Sequence, residues 1–227
     1  MKVALFWSEG EVGRAVLRKL TDGGDFVCVY TDAPAKARID SINYEIQRGG
    51  VHDAEAMERT VQDADVVVCL IEPISRGSKK DISTPYADGI ENVLSVMKKY
   101  GKSRIYLVAP VCNAEKEKGR ILRFFTKFFR SFAPHVYRDA CKTIEEVKNS
   151  GADFTVIRYM NPYLKNKKAG YLISEDGSKA KAGVSGENLA QCVCDVVRGN
   201  LYGGCMPVVA VAMQQPPSDK GKRLKIY

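Results

Sequence analysis

The chain has 227 residues, 45% of them hydrophobic, and a formal net charge of +8. This content suffices for a sizeable core and excludes a wholly disordered chain, and the positive charge predicts attraction to anions such as nucleotides, RNA or acidic lipid. The seven cysteines form no Cys-x-x-Cys pair, so we expect reduced thiols in the cytoplasm or another reducing compartment. No apolar run reaches the length of a signal peptide core or a membrane span.

Short apolar runs alternate along the chain with longer stretches of helical periodicity. Strands covered on both faces are predicted at residues 3–7, 26–30, 66–71, 105–109 and 154–157, which are rich in β-branched and aromatic side chains. Helices are predicted at residues 12–20, 53–61, 90–97 and 187–197, with further strands at 41–47 and, at a sheet edge, 206–212. Right-handed crossovers then predict a doubly wound parallel α/β sheet of Rossmann type with helices on both faces.

Composition stays uniform to residue 212 and no internal repeat is found. We therefore expect one Rossmann-like domain over residues 1–212, with an inserted amphipathic helix near residues 117–133. Residues 213–227 form a basic, polar, proline-bearing tail, which is typical of a mobile or partner-docked end. Charge runs of this kind are more often simply solvated, and that interpretation is preferred for the tail.

The turn after the first predicted strand has the composition of a phosphate-binding turn. It reads Trp7-Ser8-Glu9-Gly10-Glu11-Val12-Gly13-Arg14. In dinucleotide-binding units such a turn brings backbone N–H groups and a helix N-terminus onto a pyrophosphate, and glycines let the backbone approach. Thr31 and Asp32 follow the second strand, and Asp32 stands about 20 residues after Gly13, close to the offset expected of a ribose-binding acid.

This turn resembles the Gly-x-x-Gly-x-x-Gly turn of the short-chain dehydrogenase/reductase superfamily, with Gly10 and Gly13 as its second and third glycines. Residues 51–53, 65–68, 137–139, 150–158 and 184–190 resemble the atypical branch, which contains NAD(P)-binding regulators of nitrogen-repression type and biliverdin/flavin-reductase-like proteins. The resemblance implies a Rossmann fold, NAD or NADP as cofactor, and a ligand crevice at the carboxyl ends of the strands. The cofactor-binding residues implied are Trp7, Ser8, Gly10, Glu11, Val12, Gly13, Arg14, Thr31, Asp32, Ile71, Glu72, Pro73, Val108, Ala109 and Pro110.

Several positions of the turn depart from the family pattern. Trp7 replaces the first glycine, and Glu9 and Glu11 place carboxylates around the phosphate site, where a like charge opposes binding. Arg14 can compensate only in part. Relatives that select NADP carry an arginine after the second strand, so Asp32 favours NAD, although Asp32-Ala33-Pro34 can equally be a simple turn. An acid usual after the third strand is replaced by Gly49-Gly50. These departures imply weak or absent dinucleotide binding.

The catalytic groups of the superfamily are also missing. The fifth predicted strand continues into Val111-Cys112 with no serine, and Tyr137 is followed four residues later by Cys141. Lys142 comes one position later, about 100° around a helix, so no catalytic residue is assigned. Two functions remain open: a non-catalytic regulatory or assembly component, which we favour, and an NAD(P)-dependent reductase of a small molecule that lacks the Ser-Tyr-Lys triad and relies on cofactor chemistry.

Residues 120–132 form a basic, aromatic stretch with helical spacing. Its apolar side chains Ile121, Phe125, Phe128 and Phe132 share one face, and Arg123, Lys127 and Arg130 share another. Such a helix can lie on an anionic membrane, bind a partner or act as a lid over the cofactor cleft. We prefer a helix docked on its own core with solvated basic side chains, since related proteins carry an insertion here beside the substrate cleft. With the basic tail residues 219–225, it is the candidate surface for a protein or anionic partner.

Other site chemistries find little support. The two histidines, His52 and His135, have no metal-ligand spacing to the cysteines, so no metal site is predicted. Cys112 lies at a predicted sheet edge, but the sequence places no histidine base beside it, which disfavours a nucleophile. Nucleic-acid binding is disfavoured because basic and aromatic residues do not interleave on a predicted strand.

Overall fold

The computed structural model describes residues 1–6, 10–70, 84–112, 118–160 and 170–212. Within these ranges eight strands form one sheet. They are β1 (Lys2–Phe6), β2 (Phe26–Thr31), β3 (Tyr44–Arg48), β4 (Val66–Leu70), β5 (Arg104–Pro110), β6 (Asp153–Tyr159), β7 (Tyr171–Ser174) and β8 (Val208–Val211). The helices are α1 (Glu11–Asp22), α2 (Ala54–Val61), α3 (Pro85–Lys99), α4 (Arg120–Phe132), α5 (Pro134–Asn149) and α6 (Gly186–Arg198), with one 3-10 turn at Pro34–Lys36.

The strands lie in the order β3-β2-β1-β4-β5-β6-β8-β7. Every neighbouring pair is parallel except β7 with β8. The chain reverses direction across the sheet between β1 and β4, which creates a crevice at the carboxyl ends of these strands. The predicted doubly wound α/β sheet of Rossmann type is confirmed.

Helices cover both faces of the sheet, and each layer encloses its own core. Apolar side chains of α1 and α6, such as Leu17 and Val193, pack on one face of the sheet, and those of α2, α3 and α5, such as Met57 and Ile90, pack on the other. The central strands are buried on both faces, as their continuous apolar sequences predict. Of the described helices, none is both long and apolar enough to cross a bilayer.

The last part of the sheet differs from expectation. The predicted final strand forms as β8, but it lies one strand inside the edge, so its placement at the edge was wrong. The edge is β7, which was not predicted and pairs antiparallel with β8, Tyr171 opposite Val211. This four-residue strand is only partly buried, so it lacks the long apolar run by which the central strands are found in the sequence. The predicted boundary at residue 213 falls at the end of the described ranges and stays a prediction.

Candidate functional site

The N-terminus of α1 lies at the carboxyl end of β1, where the sequence predicts a phosphate-binding turn. Gly10, which has no side chain to act as a cap, precedes the helix in an extended conformation (φ −82°, ψ −179°). Its carbonyl accepts the first helical hydrogen bond, from the Arg14 N–H at 3.1 Å. The N–H groups at a helix N-terminus and the positive end of the helix dipole suit an anion. The donors at this helix end therefore fit a diphosphate.

One carboxylate opposes that fit. Glu11 is the first residue of α1 and is exposed, and the exposed Arg14 follows one turn later. Helix α6 packs closely on the same turn: a Cβ atom on Gly186 would lie 3.3 Å from Val12 Cγ2 and 4.0 Å from Glu11 Oε1. The helix end thus presents a negative charge together with its N–H donors.

Lys19 and Glu187 join α1 to α6. The Lys19 Nζ atom lies 2.6 Å from a Glu187 carboxylate oxygen. This ion pair joins the last turn of α1 to α6, and the close approach at Gly186 places the first turn of α1 against the same helix.

The end of β2 lies beside this helix terminus. The buried Thr31 hydroxyl accepts a hydrogen bond from the Ala33 N–H at 3.0 Å, and Asp32 is exposed. The contact holds the turn after the strand and leaves the Asp32 carboxylate in solvent. Asp32 therefore stands at the carboxyl edge of the sheet, where the motif spacing predicts a ribose-binding acid.

The structure explains Gly49, the first residue of the glycine pair after β3. The Tyr30 hydroxyl donates a hydrogen bond to the Gly50 carbonyl at 2.6 Å. A Cβ atom on Gly49 would lie 2.4 Å from that hydroxyl oxygen, closer than unbonded atoms can approach. Burial raises the pKa of Tyr30 to about 12, so the hydroxyl stays protonated and remains a donor at neutral pH. The tyrosine ring occupies the space that a side chain at position 49 needs.

Arg48 is a charged residue at this edge that sequence reasoning missed. It ends β3, is exposed, and pairs with Thr31 in the parallel register. Paired residues of parallel strands lie side by side, so Arg48 brings a cation next to the end of β2. The predicted third strand stopped at residue 47. A basic residue directly after a predicted strand was the signal that could have identified it.

The remaining predicted cofactor residues divide into two groups. Val108, Ala109 and Pro110 are buried in β5, where they pair with Ile157, Arg158 and Tyr159 of β6. They form the carboxyl end of a central strand, at the same edge of the sheet as Gly10 and Asp32. Trp7, Ser8, Ile71, Glu72 and Pro73 lie outside the described residues, as does the neighbouring Glu9.

The residues that stand where a catalytic tyrosine and lysine would be sought contact different elements of the fold. Tyr137 is buried, and its ring meets Phe129 of α4 edge-on at 5.8 Å between centroids. The Lys142 ammonium lies 3.3 Å from the Asp88 carboxylate of α3, and this hydrogen bond raises the pKa of Lys142. Among the described residues, the two side chains thus have different neighbours, Phe129 for Tyr137 and Asp88 for Lys142.

The Cys112 thiol lies buried just beyond β5. A hydrogen bond with Cys141, and then burial, raise its pKa. A thiol that keeps its proton at neutral pH is a poor nucleophile. In the ranges that the structure describes, no three metal-ligating side chains come together.

Helix α4 is docked on the protein, but through a different set of side chains from those expected. It buries Leu122, Thr126 and Phe129, and Phe125 is half-buried. The other three members of the predicted apolar face, Ile121, Phe128 and Phe132, are exposed. The apolar face proposed from spacing is thus largely in solvent, because the neighbouring arc of the helix contacts the core.

Comparison with known proteins gives one family and a fold. A family model described as NAD(P)H-binding matches residues 8–199. A short-chain dehydrogenase/reductase structure from Veillonella parvula is similar with a TM-score of 0.75 at 13% identity, over 92% of this chain and 93% of that one. A further structure of such a protein from that organism, in complex with NADP, has a TM-score of 0.75 at 13% identity, with coverages of 96% and 95%.

A Rossmann-fold NAD(P)-binding family protein from Shigella flexneri is also similar, with a TM-score of 0.64 at 18% identity over 99% and 98% of the two chains. At these identities, structural likeness establishes the fold. No curated protein matches the chain significantly. The family model confirms the expected NAD(P)-binding family, and the structural neighbours confirm the Rossmann fold.

Proposed function

The chain belongs to the NAD(P)H-binding family of Rossmann-fold proteins, and within it we propose a regulatory or assembly component whose dinucleotide site is weakened and which does not catalyse hydride transfer. One observation carries this proposal. Tyr137 is buried against Phe129, and Lys142 is paired with Asp88. The proton relay of the catalytic relatives therefore has no counterpart built from these two residues.

The proposed cofactor position follows from the donors of the site. The N–H groups at the start of α1, after Gly10, would hold the diphosphate, and Asp32 and Arg48 would flank the ribose. A nicotinamide dinucleotide supplies a hydride when it is bound. This chain's own groups would bind and orient it. Arg48 would reduce the repulsion between the Asp32 carboxylate and the 2′-phosphate of NADP.

Among the described residues, Glu11 is the one to which we assign the weaker binding of a dinucleotide. Its carboxylate stands at the helix end that would bind the diphosphate, and α6 packs against that turn. Two like charges a few ångströms apart in a partly desolvated cleft repel by about 1 kcal/mol or more. Arg14, one turn further along α1, screens this repulsion only in part.

The Glu11→Gln variant tests this assignment. It removes the charge and keeps the shape, so we expect NADH to bind about five-fold more tightly, corresponding to about 1 kcal/mol of relieved repulsion. Isothermal titration calorimetry measures the change. Asp22→Asn, at the other end of α1 and also exposed, is the matched control and should leave NADH affinity unchanged. Equal or weaker binding by Glu11→Gln would show that this carboxylate does not limit the site.

A small-molecule reductase is the second candidate, favoured by one observation. Gly10 and the buried Gly13 both lie at the start of α1 as a functional dinucleotide turn requires. That function requires turnover of NADH or NADPH with flavin or carbonyl acceptors. No turnover at saturating nucleotide would favour the regulatory role.

A further inference from the structure

Helix α4 exposes a row of large apolar side chains. Ile121 is 48% exposed, Phe124 73%, Phe128 54% and Phe132 69%. The Phe128 and Phe132 rings stack on each other at 5.7 Å between centroids. These four are half of the exposed large hydrophobic side chains found in the described ranges. Isolated exposed hydrophobics are ordinary, but a contiguous row marks an interaction surface.

The exposure does not come from a detached helix. Leu122 is fully buried with Val111, Met160 and Ala180, and Phe129 packs on Tyr137. The N-terminus of α4 is also fixed: the Lys118 N–H donates to the Asp176 carbonyl at 3.2 Å, and its ammonium lies 3.4 Å from the Asp176 carboxylate. A firmly docked helix therefore presents the aromatic row outward.

The same helix is basic throughout. Its charged residues are Arg120, Arg123, Lys127 and Arg130, and it contains no acidic residue. At about 100° per residue the four basic side chains fill an arc of about 80°, which lies beside the arc of the aromatic row. Within the described ranges, none of the ion pairs involves Arg123 or Lys127.

The surroundings of α4 add to its positive charge. The exposed Lys179 and Lys181 flank Ala180, which packs against Leu122. Of the nearby acids, Asp176 is paired with Lys118, and Glu175 is exposed. Among these described residues, basic side chains thus outnumber carboxylates around α4.

We propose that α4 docks the protein on an anionic phospholipid bilayer. The helix, about 20 Å long, would lie parallel to the surface with Phe124, Phe128 and Phe132 at the boundary of headgroups and acyl chains. Arg123 and Lys127 would contact lipid phosphates. Exposed aromatic side chains beside basic side chains on one helix are the pattern of an interfacial helix.

Charge complementarity favours lipid over a second copy of the chain and over the chain's own tail. A second copy of the chain would bring Arg123 and Lys127 against the same cations. The tail of this chain carries Lys220, Lys222 and Arg223 and would be repelled in the same way. An anionic bilayer offers an apolar boundary to the aromatic side chains and phosphates to the basic side chains at the same time.

Vesicle co-sedimentation of the full chain tests the proposal. The probes are vesicles of phosphatidylcholine alone and of equal parts phosphatidylcholine and phosphatidylserine. We expect binding to the anionic vesicles only. The Phe124→Ser/Phe128→Ser variant should bind at least about ten-fold more weakly, because two aromatic side chains no longer leave water. The Arg123→Glu/Lys127→Glu variant should lose about five-fold or more for each charge, since each basic residue contributes near the surface.

Two controls separate specific docking from general adhesion. Ile42→Ser removes a more exposed apolar side chain elsewhere, and Arg18→Glu/Lys98→Glu makes the same change in net charge at exposed positions on α1 and α3. Both should bind anionic vesicles as the wild type does. Equal losses in the controls, or no loss in the phenylalanine variant, would show non-specific attraction and overturn the proposal.

A tryptophan reporter gives an independent readout. In Phe124→Trp, insertion should shift the added indole emission to shorter wavelength on anionic vesicles, and brominated lipid should quench it. If the full chain does not bind anionic vesicles, the proposal is overturned. Self-association that Phe124→Ser/Phe128→Ser abolishes, without vesicle binding, would identify a second copy as the occupant instead.

Discussion

Asp139 is a buried carboxylate that joins α5 to the start of α3. It accepts hydrogen bonds from the Tyr86 N–H at 3.1 Å and the Ala87 N–H at 2.9 Å. Helix α3 thereby gains an N-terminal cap from another helix, beside the carboxyl edge of the sheet. Burial raises the pKa of Asp139, and these two hydrogen bonds offset part of the increase.

Because the pKa of Asp139 is raised, protonation of Asp139 stabilises the folded protein. The folded protein holds the Asp139 proton to higher pH than the unfolded chain, so the contribution of Asp139 to stability falls as pH rises from 3.8 through the raised pKa. Asp139→Asn cannot titrate. We expect the wild-type free energy of unfolding, minus that of the variant, to decrease across this interval, as measured by urea denaturation at a series of pH values.

A difference that grows with pH would mean that the pKa of Asp139 is lowered. The exposed Asp63→Asn is the control at neutral pH. It should change the free energy of unfolding by less than about 0.5 kcal/mol.

Individual residues of the site were predictable to different degrees. Lys142 was judged one position out of register with Tyr137 from spacing alone, and the structure pairs it with Asp88 instead. Gly49 could be noted in the sequence but not explained, because its reason is contact with Tyr30, which lies on another strand. Arg48 was missed because only the register of β2 and β3 places it beside Thr31.

At the scale of elements, α4 shows what helical spacing can and cannot predict. Periodicity correctly groups Ile121, Phe128 and Phe132 on one arc. It cannot identify the buried arc, because an aromatic-rich helix has apolar side chains on more than one side. The buried arc is chosen by long-range contacts with Met160, beyond β6, and with Val208 of β8.

Gly119, directly before α4, tests how the helix is docked. A Cβ atom there would lie 2.3 Å from the Gly177 carbonyl oxygen, and a backbone atom cannot move aside as a flexible side chain can. Gly119→Ala should therefore lower the free energy of unfolding by about 1–3 kcal/mol, as measured by chemical denaturation. Gly50→Ala, which has open space around the added methyl group, is the matched control. Equal stabilities of the two variants would contradict the close contact at Gly119.

At the scale of the whole molecule, the order of the central strands follows from local sequence and handedness. Continuous apolar runs separated by helical patterns allow few arrangements, and the parallel order from β3 to β6 is among them. The outer pair β8-β7 depends on an antiparallel return of a short, partly exposed strand, which local patterns do not specify. The sheet fixes where a dinucleotide would bind, and its affinity depends on side chains at that edge.

The proposal that the dinucleotide site is weakened is tested most directly by titrating the wild-type protein with NADH and NADPH while following fluorescence and heat. Trp7 is the sole tryptophan and belongs to the predicted cofactor turn. We predict dissociation constants close to millimolar or weaker for both nucleotides, corresponding to about −4 kcal/mol or less favourable. Micromolar binding with quenched Trp7 emission would contradict the proposal of a weakened site and favour a functional reductase.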